Sequence, residues 1–226
     1  MLRYTKEKLY KEVNDLRIRI GIDYSEYPVR TVDRCLINPV YTIDIAPLRT
    51  NGLQGVLIAD RGTRHIILNS ARTIEERNFF CMHEVIHGYF HVGLGSGTFN
   101  CFEKVRENQN SFFEWHANEG AAEFLVPHKQ FIPKLLDCWN PTKLQPVPFG
   151  VRKKLADEFF VSDRVIYNRI ESLKYEIMQV HRGAKINDIA LLSANQQRNL
   201  GICVRSLNES VCTTCADCFL EKIEDF

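Results

Sequence analysis

An α+β fold is what the sequence predicts, and three observations carry the prediction. Amphipathic stretches with apolar residues at helical spacing open the chain and recur through its second half. Short runs rich in Val, Ile and Thr, bounded by turn residues, lie between the first of these stretches and the next. Apolar residues make up 45% of the 226, enough for a packed core.

The elements follow in order. Leu9, Val13, Leu16 and Ile20 mark an amphipathic first helix. Val40 to Ile45 reads as a strand. Val56 to Ile58 and His65 to Leu68 read as two strands joined around Asp60-Arg61-Gly62, a hairpin. Thr73 and Glu76 then form a capping box, and Phe79, Phe80, His83, Ile86, His87 and Phe90 recur at helical spacing. No proline interrupts Ile74 to His91, and Gly93, Gly95 and Gly97 end the run.

That helix carries His83-Glu84-Val85-Ile86-His87. Residues four apart share one face of a helix, so the two histidines can hold one metal ion. Glu84 then stands beside a water that the ion activates, where it can serve as general base. The alternative is a buried helix whose histidines are merely hydrogen-bonded, at a desolvation cost that only a partner offsets. A catalytic zinc site has three protein ligands. The downstream candidates are His91, Glu114, His116, Glu119, Glu123 and His128. His91 would have to reach back a further turn, which suits packing or support of a ligand better than ligation.

Asn110 to Pro127 reads as a second helix, capped by Asn110 or Ser111 and stopped by Pro127. Phe113, Ala117, Ala121 and Phe124 give it an apolar face with small residues for close approach. Glu114 can complete a site of two histidines and one carboxylate, with Asn118 orienting a ligand from behind. Spacing equally allows a second capping box between Ser111 and Glu114.

Phe79-Phe80-Cys81-Met82-His83-Glu84-Val85-Ile86-His87-Gly88-Tyr89-Phe90-His91 resembles the "F-x-x-A-H-E-L-G-H-x-x-x-H" helix of the ImmA/IrrE metallopeptidases. Glu114-Trp115-His116-Ala117-Asn118-Glu119-Gly120-Ala121-Ala122-Glu123-Phe124-Leu125-Val126-Pro127 resembles that family's "E-x-x-A-N-x-F-A-A-x-L-L-x-P" segment. The resemblance covers most of the first 175 residues and places the third zinc ligand on Glu114. Met82, Val85 and Ile86 depart from the usual alanine, leucine and glycine; Gly120 and Phe124 depart from phenylalanine and leucine. No ligand or base is lost by these departures. Gly120 lowers helix propensity and is expected to leave space beside the site.

The order of helix, small sheet, metal helix and second ligand helix fits a minimal zincin-like peptidase core over residues 1–130. His65-Ile66-Ile67-Leu68 or its hairpin partner reads either as an edge strand for an extended peptide or, equally, as a plain structural strand. From Phe131, Pro133, Pro141, Pro146 and Pro148 read as a loop-rich connection. Leu155 to Leu173 then reads as a helix-turn-helix-like unit within residues 131–182, with Ser162 as a cap and Phe160 where the turn favours glycine. Seven Lys/Arg against five Asp/Glu over Val151 to Arg182 favour packing or protein docking over DNA binding.

The tail, 183–226, brings Cys203, Cys212, Cys215 and Cys218 together, a candidate structural zinc site beside the alternatives of an iron–sulfur cluster or free thiols. Cys35, Cys81, Cys101 and Cys138 read as small buried residues. A net charge of +1 predicts no general attraction for nucleic acid, and the N-terminus lacks a signal-peptide stretch, which fits a cytoplasmic protein.

The motifs therefore predict a zinc-dependent endopeptidase. His83, His87 and Glu114 hold the catalytic zinc ion, Glu84 is the base, and His65, His116, His181 or a tyrosine steadies the oxyanion. The family resemblance implies that the substrate is a helix-turn-helix repressor encoded on a phage or mobile element, whose cleavage relieves repression. The alternative is a non-catalytic zinc-containing regulatory protein that binds a partner repressor or DNA. Hydrolysis of a non-peptide substrate is a third reading, because the motif describes water activation and not the bond broken.

Overall fold

Thr5 accepts the Lys8 N–H and starts α1 (Lys6–Arg19). Leu9, Tyr10, Val13 and Leu16 are buried along one face, whereas Ile20 falls just beyond the helix and is exposed. The computed structural model describes residues 4–23, 25–35, 41–94, 97–141 and 145–209 and has α+β architecture. A short helix, α2 (Thr31–Cys35), precedes a four-stranded sheet of β1 (Tyr41–Ala46), β2 (Leu53–Asp60), β3 (Thr63–Asn69) and β4 (Thr98–Phe102).

The β2–β3 hairpin turns at Arg61 and Gly62, whose φ angles of 44° and 90° are the positive pair that a twisted two-residue turn requires. The strand order is β1-β3-β2-β4, with β1 parallel to β3 and the other pairs antiparallel. Neither hairpin strand is therefore an edge, so of the two sequence readings the plain structural strand holds; among the described residues the edges are β1 and β4. The strand β4 has no counterpart in that reading either. Five residues with only Phe99 and Cys101 turned inward give a short period-two signal.

Helix α3 (Ile74–Phe90) begins with the capping box of Thr73 and Glu76, both bonds of which are present. It lies across β2, β3 and β4, on the face where Leu57, Ile66 and Leu68 are buried. Helix α4 (Ser111–Leu125) packs beside it, and α1 packs on α4. Asn110 caps α4 by accepting from Phe112 and Phe113, so a Ser111–Glu114 capping box does not form.

The second half is helical: α5 (His128–Cys138), α6 (Phe149–Phe159), α7 (Asp163–Ser172), α8 (Lys174–His181) and α9 (Ala194–Asn199). The loop-rich connection expected from Phe131 starts only after Cys138, because α5 accommodates Pro133 within it while Phe131, Ile132 and Leu135 are buried. Phe160 turns α6 into α7 in the left-handed region (φ 55°), a conformation that normally favours glycine. Arg30 stacks over its ring at 4.4 Å, and its carbonyl accepts from Asn78 of α3 at 3.0 Å. Ser162 occupies the cap position of α7 without a side-chain bond. Cys81 and Cys101 are buried as expected, but Cys138 is exposed, because it ends α5. No helix among the described residues is long and apolar enough to cross a membrane.

A buried charge cluster joins the two halves. Arg169 of α7 donates to Glu119 (2.9 Å) and Glu123 of α4, to Tyr10 of α1 (2.7 Å) and to the Val126 carbonyl (3.1 Å). Glu123 also pairs with His128 at 2.8 Å, and Lys6 with Glu176 at 2.9 Å. Such pairs offset the desolvation of each charge, so removing one partner is costlier than never having the pair.

Gly120 does not open space beside the site. A Cβ there would stand 3.4 Å from Ile86 Cδ1 and Cγ2, so Ile86 fills the volume. Two departures from the family pattern thus complement each other. Isoleucine stands where the ImmA/IrrE helix has glycine, and glycine faces it where the second segment has phenylalanine. Gly120→Phe alone should overpack the α3–α4 contact and cost about 1–3 kcal/mol. The double variant Ile86→Gly, Gly120→Phe should recover at least about 1 kcal/mol relative to the sum of the single changes. Urea unfolding of the four proteins measures this, and additivity within about 0.5 kcal/mol would mean the pair is not complementary.

Candidate metal centre between α3 and α4

One helical turn separates His83 from His87, which puts both rings on the face of α3 turned to α4. Their Nε2 atoms are 3.0 Å apart. Glu114, in the first turn of α4, brings its carboxylate to 3.5 Å from His83 Nε2 and 3.6 Å from His87 Nε2. Candidate ligand atoms of these three residues all lie within 4.8 Å of one another, and all three side chains are buried. Asn118, one turn after Glu114, places Oδ1 3.1 Å from His83 Nδ1. His83 Nδ1–H donates to that oxygen, which leaves the Nε2 lone pair facing Glu114. Phe99 of β4 stacks on the His87 ring, centroid to centroid 4.7 Å.

The donor set fits a zinc ion. Ligands at about 2.0–2.1 Å from a tetrahedral ion stand roughly 3.4 Å apart, close to these three separations. Two convergent imidazole nitrogens and a carboxylate, all out of water, offer a cation lone pairs without prior rearrangement.

Glu84 is fully buried beside this group, and neither carboxylate oxygen has a hydrogen-bond partner among the described residues. Burial first, and then the charge of Glu114, pushes its pKa well above the usual carboxylate range. The backbone N–H of Cys101 opposes the shift without completing a hydrogen bond. Gly55 of β2 makes room for Glu84: a Cβ at Gly55 would stand 3.3 Å from Glu84 Oε1. The Cys101 thiol also belongs to a close group with His83 and Glu84, and burial followed by the charges of Glu84 and Glu114 pushes its pKa well up. Gly55, Phe99 and Cys101 escaped the sequence reading. The alternation in β4 was the available signal for the last two; nothing local marks Gly55.

The other sequence candidates lie elsewhere. His65 faces away from α3, between Thr42 (2.6 Å) and Asp44 (3.2 Å). His181 ends α8. Glu119, Glu123 and His128 belong to the Arg169 cluster. His91 and His116 line up behind His87, with His91 Nδ1 2.9 Å from His87 Nδ1. Cys203 is exposed, and Cys212, Cys215 and Cys218 lie outside the described residues.

Burial pushes His116 down to about 4; burial, then His116 and His83, pushes His91 down to about 3. The folded chain therefore holds both rings neutral where the unfolded chain takes up protons, near pH 6.5. Their depressed pKa values mean that the unfolded state binds more protons below that pH, so stability is full above about pH 6.5 and falls toward pH 3–4. The thermal midpoint of metal-stripped protein should drop as the pH is lowered from about 7 to about 4.5, and His116→Gln should flatten the slope. A midpoint independent of pH across that range would contradict this burial of neutral imidazoles.

The family model described as the IrrE N-terminal-like domain, Peptidase M78, matches residues 42–171, which include every residue of the α3–α4 centre. No curated protein matches the sequence. A solved structure described as a Mycobacterium tuberculosis transcriptional regulator aligns with 74% of this chain and 47% of its own, at 12% identity and a TM-score of 0.47. The chain thus spans about half the length of that protein. With more than half of its residues matched by one family model, the chain belongs to the IrrE N-terminal-like family of Peptidase M78.

Proposed function

We propose that this chain is a zinc-dependent endopeptidase with a zincin-like core. The observation that carries the reading is the convergence of His83 Nε2, His87 Nε2 and the Glu114 carboxylate beside a buried Glu84 whose oxygens accept no hydrogen bond among the described residues. Membership in a peptidase family supports it. When bound, zinc supplies Lewis acidity to the scissile carbonyl and acidity to the attacking water. His83, His87 and Glu114 would hold the ion, and Asn118 fixes the His83 ring. Glu84 takes the water's proton and passes it to the leaving amine. Strand β4, the sheet edge carrying Phe99 and Cys101 against the site, is placed to pair with an extended substrate backbone.

In this reading the peptidase core occupies residues 1–130, and the helical unit over 131–182 serves packing and protein docking. Arg164 and Asn168 are the exposed residues of α7, so a single cation faces outward from it, which is poor equipment for DNA. The substrate is a helix-turn-helix repressor in the cytoplasm, in line with the ImmA/IrrE resemblance. A second, structural zinc ion at Cys203, Cys212, Cys215 and Cys218 belongs to the same proposal.

Elemental analysis combined with cleavage of the repressor encoded beside the gene tests the assignment. Glu84→Gln should retain zinc and lose roughly 10²–10⁴-fold in cleavage rate. Glu114→Ala should lose the catalytic zinc, and Cys215→Ser should lose only the second. Undiminished zinc in Glu114→Ala would refute the ligand set. Full biological output from Glu84→Gln would leave a non-catalytic regulatory protein as the better reading.

A further inference from the structure

We propose that His91, His116, Tyr4 and Glu12 form a one-way hydrogen-bond chain that fixes the ring of His87, making them positioning residues for the metal centre. The inference rests on the reading of His87 as a ligand through Nε2, but its direction is set from the opposite end. Four contacts make the chain. His87 Nδ1 is 2.9 Å from His91 Nδ1, and His91 Nε2 is 3.1 Å from His116 Nδ1. His116 Nε2 is 2.8 Å from Tyr4 Oη, which donates to Glu12 Oε2 on α1.

A carboxylate only accepts, and a neutral imidazole has one donor and one acceptor nitrogen. These two facts orient every link. Tyr4 spends its proton on Glu12, so its oxygen accepts from His116 Nε2–H. His116 Nδ1 must then accept, and His91 Nε2–H donates to it. His91 Nδ1 must accept in turn, and His87 Nδ1–H donates. The proton of His87 is therefore held away from the centre, and its Nε2 lone pair faces His83 and Glu114. Asn118 does the same for His83 in one step. For His87 the terminal acceptor is four links away, on a different helix, and its side chain is 31% exposed. His91 and His116 are 2% and 3% exposed, so water does not compete for the inner links.

The test reads ring tautomers and zinc affinity on the full chain. In protein labelled with ¹⁵N-histidine, imidazole NMR should report Nδ1–H for His87 and Nε2–H for His91 and His116. Tyr4→Phe removes the oxygen that accepts from His116 Nε2–H, and Glu12→Leu removes the carboxylate that holds the Tyr4 proton away from His116; each should disturb that pattern. Each should also weaken zinc binding, read by chelator competition, by about tenfold or more. Glu12→Gln keeps an acceptor oxygen and should behave as wild type. Glu12 is partly exposed, so its variants should fold, which thermal unfolding checks. A wild-type pattern with any of the three tautomers reversed overturns the chain. So does unaltered zinc affinity with unaltered tautomers in both Tyr4→Phe and Glu12→Leu. The tautomer pattern can be recorded with or without zinc. Failure of the wild type to bind zinc would therefore sink the ligand reading of His87 while the NMR pattern still decides the chain's direction.

Discussion

Two helices pressed together across a layer of polar side chains is the constraint on which the rest of this structure depends. The α3–α4 contact places His83, Glu84, His87, His91, Glu114 and His116 out of water at once. Imidazoles and carboxylates enter such a layer at a cost, because each lost hydration bond must be replaced or forgone. The surrounding elements supply partners from several directions. Asn118 serves His83, and Tyr4 and Glu12 serve the histidines behind His87. Phe99 covers one ring face. The sheet closes the layer from below, with Gly55 thin enough to admit the Glu84 carboxyl.

Helix α4 carries two different acidic faces, and the difference between them is physical. Glu114 and Asn118 point to the histidines, whereas Glu119 and Glu123 point to Arg169 of α7, Tyr10 of α1 and His128 of α5. On the second face each carboxylate has a permanent cation. Burial alone would raise the pKa of Glu123, yet His128 and Arg169 outweigh it and hold the group below its usual range. The Arg169 cluster thereby ties the helical second half to the helix that carries Glu114.

The parts of this architecture that were legible in the sequence are those decided within about one helical turn or one hairpin. The capping box at Thr73, the spacing of His83 and His87, and the Asp60-Arg61-Gly62 turn are local properties, and each sits where its chemistry requires. The identity of the third ligand candidate was less legible, because Ser111 offered Glu114 a local alternative. Asn110 takes the cap instead and frees the carboxylate to turn inward. What escaped depends on tertiary packing. Five-residue β4 is held by pairing with β2, not by propensity. Helix α5 tolerates Pro133 because its apolar face is buried. The left-handed Phe160 has no local excuse either; Asn78 and Arg30 stabilise it from other elements. Nor could spacing show that Tyr4 and Glu12 stand behind His116.

Local rules are kept almost everywhere in this chain, and where they fail is informative. The buried carboxylates of the Arg169 cluster are paired; Glu84 is equally buried and neither of its oxygens is bonded. A group in that position costs roughly 1–3 kcal/mol that ordinary packing would recover by a smaller apolar side chain. Glutamate is kept there although Gly55 must give up its side-chain volume to seat it and although Glu114 pushes it toward neutrality. A carboxyl held without a partner beside two convergent imidazole lone pairs is a liability for folding alone. Under the proposed peptidase reading it becomes an asset, because there a proton must be taken up and handed on.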